Sequence, residues 1–400
     1  MIQEEKPMKF DFDAPVDRHG TGCLKYDFAV ERGKPADILP LWVADMDFRT
    51  APGIIERLQK AVSHGIFGYS DSKQDYFDAL NGWYQKHFDF TLEPQWLVKT
   101  PGVVFALAMA VKAYTNEEDG VLIQQPVYYP FSEVIGANNR RLINSPLKLR
   151  DGHYEMDFED LEEKIIKENV KLFLLCSPHN PVGRVWTEEE LRKAGEICMK
   201  HGVTVVSDEI HNDFTYPGHR HHVFASLSPE FAKHCVLCTA PSKTFNLAGL
   251  QVSNILIPDD GLRERFLKEI EAAGYSQVNA LGLVGCQAAY ETGEEWLAQL
   301  KEYLAGNREF VRSFLKEQLP QIRMIEPEGT YLLWLDFRAL GLPEAELEKL
   351  IIEKAGLWLD SGAIFGADGE GFERFNIACQ RSTLEEAFGK LKKAVDSLNK

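Results

Sequence analysis

The sequence has no apolar run long enough to cross a bilayer: the longest, Gly102 to Val111 between Pro101 and Lys112, is about half of the roughly 20 residues a spanning helix needs. A membrane segment is not expected. A surplus of positive charge is also missing, since 44 Lys and Arg stand against 61 Asp and Glu for a net charge of −17. Such a field repels phosphate backbones and anionic headgroups, which argues against nucleic acid and membrane surfaces as partners. Cysteine is sparse, with 7 in 400 residues, and an odd count spread from Cys23 to Cys379 does not read as a disulfide framework. The start, Met1-Ile-Gln-Glu-Glu, is acidic and lacks an apolar signal core. A reduced, cytoplasmic setting follows as the expectation. No low-complexity linker and no period of 20 to 50 residues stands out, so disorder, repeats and beads on a string are set aside.

What is present is a globular composition, 44% hydrophobic and 26% charged, in a chain long enough for two to three domains at roughly 150 residues each. From about 98 to 257, short β-rich runs alternate with helical patterns. The runs are Gly120–Gln124, Arg141–Asn144, Val170–Cys176, Val203–Asp208, Cys235–Ala240 and Val252–Ile257. That alternation predicts an α/β unit around a mostly parallel sheet with helices on both faces. Thr187-Glu-Glu-Glu190 reads as a capping box opening an amphipathic helix up to His201. Later residues predict long helices over about 260–317, strands at 323–325, 331–337 and near 372–378, and a terminal helix. The expected organisation is an N-terminal segment, 1–50, packed with a small domain; a large domain, 51–290; and a small α+β domain, 291–400.

Four local features fall where strands end or helices begin, the places where open α/β sheets bind ligands. Thr100-Pro-Gly-Val-Val104 turns from a strand into a helix and leaves free N–H groups at the positive helix end, an anion cradle or a plain turn. Ser177-Pro-His-Asn-Pro-Val-Gly183 holds the Asn180 amide between two prolines, as a ligand donor or a stiff connector. Asp208 sits where a buried strand stops, as a cap or as a carboxylate in need of a cation. Lys243 follows the strand and the Pro-Ser break of Thr239-Ala-Pro-Ser-Lys, as an ordinary solvated lysine or as a desolvated one nucleophilic enough to form an imine. An anion cradle, a rigid amide, a carboxylate and a lysine together match the phosphate, hydroxyl, ring nitrogen and aldehyde of pyridoxal 5'-phosphate.

The motifs Leu41-Trp-Val-Ala-Asp-Met-Asp-Phe48, Gly65-Ile-Phe-Gly-Tyr69, Ser177–Trp186, Ser207-Asp-Glu-Ile-His211, Ala240–Asn246 and Arg374-Phe-Asn-Ile-Ala378 carry a resemblance over nearly the whole chain. The sequence resembles the fold-type-I pyridoxal-phosphate enzymes of the class I/II aminotransferase superfamily, and within it the cystathionine β-lyases (C-S lyases) of the MalY/PatB type. The resemblance implies that Lys243 carries the cofactor, Asp208 pairs with its ring nitrogen, Asn180 bonds its hydroxyl oxygen and Tyr128 stacks on the ring. Val103 and Val104 N–H groups with the Ser242 hydroxyl would take the phosphate. Tyr69 would reach in, as a catalytic and substrate-binding group, from a neighbouring subunit, which implies a homodimer with sites at its interface. Arg374 would hold the substrate carboxylate, with Asn180 beside it. The sequence departs from many relatives at His211, where they carry a Tyr, and at Gln251, where they carry a basic residue.

The implied reaction is β-elimination of cystathionine or cysteine-like amino acids to a thiol, pyruvate and ammonia. An aminotransferase of amino acids is the first alternative, and a regulator-binding protein with a structural cofactor site the second. Cys235-Val-Leu-Cys238, inside a predicted strand, points its thiols to opposite faces and is not expected to act in redox chemistry. His219–His222 reads as a polar loop, and Glu117–Asp119 and Glu188–Glu190 as solvated faces.

Overall fold

The computed structural model describes residues 9–399, so the acidic start Met1–Glu5 lies outside the described residues. Every expected β run in the middle of the chain becomes a strand. They are β2 (Gly120–Ile123), β3 (Arg141–Asn144), β4 (Val170–Cys176), β5 (Thr204–Asp208), β6 (Cys235–Thr239) and β7 (Ser253–Leu256), and a further short strand, β1 (Leu97–Thr100), precedes them. They form one sheet in the order β1-β7-β6-β5-β4-β2-β3, parallel except for β7, which runs antiparallel to both its neighbours. Strands β2 and β4 to β7 are buried almost without interruption, as expected of a sheet covered on both faces. Cys235 and Cys238 show this two-sidedness: Cys235 packs into the larger core with Leu237, and Cys238 into the one around the helix Val103–Tyr114.

The chain runs from β2 outward to β3 and then returns to the other side of β2 as β4. Loops leaving the carboxyl ends of β2 and β4 therefore diverge, and the crevice between them is where such sheets bind ligands. The Tyr128 N–H donates to the Asn180 carbonyl at 3.0 Å across this crevice, tying the two loops together.

A second sheet contains β8 (Arg323–Ile325), β9 (Leu332–Asp336), β10 (Asp360–Ser361) and β11 (Phe372–Asn376) in the antiparallel order β8-β9-β11-β10. The helices Asp260–Ala272, Ala280–Thr292, Glu294–Gln318 and Arg381–Asp396 accompany it in sequence. The N-terminal stretch is irregular. Phe12 packs edge-on against Phe48 and Trp296, and Leu39–Pro40 pairs with Leu357–Trp358.

The capping box at Thr187 forms in both directions, a device that typically contributes about 1 kcal/mol at a helix start. Its Glu190 does more than face solvent, because it also accepts two bonds from the buried Arg184 guanidinium, at 3.0 and 2.8 Å. The loop His219–His222 likewise sends one ring inward. His221 is buried against the Glu209 carboxylate at 2.8 Å. Among the described residues, no helix is long and apolar enough to cross a membrane.

Candidate active site

A cavity of about 230 Å³ opens at the carboxyl ends of the large sheet. It is lined by Gly102, Val103, Val104, Tyr128, Asn180, Asp208, His211, Ser242 and Lys243, with Ala44, Pro101, Phe105, Cys176, Ile210 and Ala248 completing the wall. Residues far apart in sequence thus converge because each follows a neighbouring strand end.

At one side the helix Val103–Tyr114 presents its N-terminus. No side chain caps it, so the first-turn N–H groups of Val103 and Val104 are free for an anion, with the helix dipole adding its positive end. Gly102 makes the turn at φ +143°, a backbone conformation that side-chain-bearing residues rarely adopt. The cavity wall at Ser242 belongs to the short turn of helix Pro241–Thr244, which also carries Lys243.

Asp208 ends β5 fully inside the protein. Burial pushes its carboxyl up to about 7, and its one backbone donor is the Ile210 N–H at 3.2 Å. A buried carboxylate so little satisfied favours a cationic partner. Lys243 shows the converse: burial, then the nearby Arg374 charge, bring its amine down to about 8 while Asp45 and Asp208 act to raise it. Its Nζ donates to the Ala44 carbonyl at 2.8 Å. His211 is buried with Nδ1 unpartnered, and desolvation and then the Lys243 and Arg374 charges hold the ring neutral, well below its ordinary pKa. Burial likewise raises the Tyr128 phenol, which keeps it protonated beside the cavity.

Arg374, on β11, reaches the site from the second sheet. It donates to Asn180 Oδ1 at 3.1 Å, to the Trp42 carbonyl at 2.7 Å and to Asp360, with its Nε buried and unpartnered. Asn180 is thereby oriented from one side by Arg374 and from the other by its own rigid loop.

Tyr69 is not part of this assembly within one chain. It is 98% exposed and belongs to the stretch Gly65–Lys73, which also leaves Ile66 and Phe67 exposed. Gln251 does not line the cavity either; it terminates the turn Ala248–Leu250 at φ +49°.

Sequence reasoning missed several participants. The Ala44 carbonyl accepts from both Lys243 and the Tyr331 hydroxyl, at 2.8 and 3.0 Å. Asp360 holds Arg374. Main-chain acceptors leave no trace in residue identity, and Asp360 lies 14 residues from its partner on a strand too short to show a pattern.

The model of the family described as aminotransferase class I and II matches residues 36–391. The chain belongs to the aminotransferase class I and II family. It is 45% identical to the cystathionine beta-lyase PatB of Bacillus subtilis over 96% of this chain and all of that protein. It is 34% identical to the protein MalY of Escherichia coli over 96% of this chain and 99% of that one. Among solved structures, cystalysin from Treponema denticola, which contains a pyridoxal 5'-phosphate cofactor, matches with a TM-score of 0.95 at 38% identity, covering 98% of this chain and all of that chain. Membership in the family agrees with the mostly parallel sheet, the crevice at its switch point and the charged groups gathered there.

Proposed function

We propose that this chain is a pyridoxal-phosphate-dependent carbon–sulfur β-lyase acting on cystathionine or cysteine-like amino acids. The observation that carries the reading is the convergence in one cavity of a depressed lysine amine, a buried carboxylate with no salt bridge among the described residues, a free helix N-terminus and a fixed amide. The relatives named as cystathionine β-lyases support the choice of reaction.

The donor set fits the cofactor. Val103 and Val104 N–H groups with Ser242 would hold its phosphate, Asn180 and His211 its ring oxygen, Tyr128 its face and Asp208 its ring nitrogen. When bound, pyridoxal phosphate supplies an electron sink that acidifies the α-proton of an amino acid attached to it. A ring N–H⁺ beside Asp208 would return the carboxylate to its ionised form, removing the mismatch that raises its pKa. Lys243, whose amine burial brings down to about 8, can in its neutral form accept the α-proton and pass it to the departing sulfur. Arg374, already aimed by Asp360, Trp42 and Asn180, would pair with the substrate carboxylate through the edge that carries its free Nε. In the net change the Cα–H and Cβ–S bonds break, the sulfur keeps its electron pair and leaves as thiol, and water completes pyruvate and ammonia.

Tyr69 enters this reading only through assembly. Its exposure, and that of Ile66 and Phe67, are what a surface covered by a second copy would show in isolation. A homodimer that brings Tyr69 to the partner's cavity is therefore part of the proposal.

The test is a single assay. Purified, cofactor-loaded protein given L-cystathionine releases thiol and pyruvate with no 2-oxo acid added. A strict requirement for a 2-oxo acid would instead make it an aminotransferase.

A further inference from the structure

The segment Trp42–Phe48 forms no regular secondary structure, yet each of its carbonyls accepts a hydrogen bond from a side chain packed against it. Arg374 donates to Trp42 at 2.7 Å, and Asn376 to both Val43 and Asp45 at 2.6 Å. Lys243 and Tyr331 share Ala44, at 2.8 and 3.0 Å. Asn246 donates to Met46 and Phe48 at 2.9 and 3.0 Å, and Gln380 to Asp47 at 2.8 Å. Two of these donors, Lys243 and Arg374, are the cations on which the proposed chemistry rests.

The side chains of the same segment meet a buried cluster of charge. Asp45 and Asp47, two residues apart, both engage Arg18, which takes Asp45 through two bonds at 2.9 and 2.6 Å and Asp47 at 2.8 Å. Lys25 Nζ donates to Asp47 at 2.8 Å and lies 3.8 Å from Asp45, and the Tyr26 hydroxyl adds a third donor to Asp47 at 3.0 Å. The Lys25 side chain is 0% exposed and that of Asp47 2%. Two cations and two anions balance. Clusters buried this deeply seldom add net stability over a well-packed apolar replacement, and their best-attested use is to fix register.

We propose that Arg18, Lys25, Asp45 and Asp47 are positioning residues that lock the register of Trp42–Phe48, so that the Ala44 carbonyl holds Lys243 Nζ and the Trp42 carbonyl holds Arg374. A slip of one residue would bring side chains where carbonyls now meet the donors. It would also pull both aspartates away from their cations. The inference rests on the reading of Lys243 and Arg374 as site residues. The charged groups facing the Lys243 amine are Arg374, Asp45 and Asp208, with neutral His211 beside them.

The experiment compares wild type with Lys25→Met, Asp47→Asn, the double variant and the conservative Lys25→Arg. The first two readouts use cofactor-free protein. One is hydrogen exchange at the Met46 and Asp47 amides, which donate to Asn246 Oδ1 at 3.0 Å and to the Ala378 carbonyl at 2.9 Å. The other is the pH profile of Lys243 labelling by trinitrobenzenesulfonate. The third is kcat and KM of the loaded enzyme on L-cystathionine. In Lys25→Met, exchange at both amides rises while amides in β5 keep their protection, and the labelling profile moves to lower pH because the ammonium has lost an acceptor. Turnover falls about tenfold or more through misplacement, Lys25→Arg recovers part of the loss, and the double variant loses less than the two singles combined.

A lowered unfolding temperature with exchange, labelling profile and turnover all at wild-type values would overturn the proposal, since a merely structural cluster behaves in that way. Should Lys25→Met fail to fold, Asp45→Asn, at the more exposed end of the cluster, is measured by amide exchange and turnover, because its charge acts on Lys243 directly, and wild-type values in both overturn the proposal equally. Failure of the cofactor reading shows separately, as wild-type protein that binds no pyridoxal phosphate, and the two cofactor-free readouts then still decide the register claim.

Discussion

Stretches marked by comparably short motifs meet opposite fates: the chain gathers Ser177–Gly183, Ser207–His211 and Ala240–Lys243 around one cavity, and leaves Gly65–Lys73 bare with Tyr69 98% exposed. The first group is positioned by a sheet, whose parallel strands deliver successive strand ends to one edge whatever the intervening sequence. The second has no strand to place it and turns its apolar groups outward. The contrast teaches that one chain suffices to assemble the cavity, whereas the role proposed for Tyr69 requires a second surface to cover it.

The severest challenge to this division is to remove the amine at the centre of the cavity. Lys243→Ala, measured by thiol release from L-cystathionine, is expected to cost at least about 10²–10⁴-fold in turnover, the usual contribution of a positioned acid–base group. Loss of less than tenfold would move the chemistry elsewhere.

Mixing tests the two halves against each other. Tyr69→Ala and Lys243→Ala proteins are each expected to be nearly inactive, and co-refolding them at equal amounts should restore roughly a quarter of wild-type sites, because half the dimers are mixed and each contains one intact site. No recovery would place Tyr69 and Lys243 in the same subunit's site, and a Tyr69→Ala protein active on its own would place Tyr69 outside the site altogether.

A smaller effect is expected at Arg374. Arg374→Lys keeps charge but loses the fork that spans Asp360, Trp42 and Asn180. The KM for L-cystathionine should rise about tenfold with a lesser change in kcat, since a point charge replaces a planar bidentate donor.

The mildest expectation concerns stability and pH in the cofactor-free protein. Asp208 has a folded pKa of about 7 against an ordinary 3.8, so between those values the native state binds the extra proton and stability falls as pH rises through the window. Lys243 runs the other way. Its folded pKa of about 8 lies below the ordinary 10.5, the unfolded chain binds more protons between them, and stability rises with pH there. Thermal unfolding of Asp208→Asn should therefore lack the decline between about pH 4 and 7, and a wild-type profile without that decline would show the carboxylate to be already satisfied.

Much of this arrangement is legible in the sequence. The alternation of apolar runs and helical patterns predicts each strand of the parallel core, because a sheet buried on both faces demands near-continuous Val, Leu and Ile, and those runs stand in plain view at Val170–Cys176 and Cys235–Thr239. The antiparallel direction of β7 is not visible, since a run such as Ser253–Leu256 carries no sign of its direction. Asn180, Asp208 and Lys243 can be picked out because Pro, Gly and lone polar residues interrupt apolar strands at their ends, whereas Ser242 is singled out only by the family resemblance. The partners that aim them cannot. Ala44 acts through its main chain, and Tyr331 and Asn376 through contacts 287 and 333 residues away in sequence. The motif Leu41–Phe48 marks kinship in the sequence without disclosing a task; its task is visible only when its carbonyls are seen against the donors of both sheets.

The proposed chemistry requires the Lys243 amine to carry the pyridoxal phosphate, and borohydride reduction of the purified, cofactor-loaded protein followed by peptide mass spectrometry decides whether it does. The expected result is loss of the absorbance band of the bound cofactor and a single phosphopyridoxyl adduct on the peptide containing Lys243. An adduct on another lysine, or a protein that takes up no cofactor at all, would contradict it.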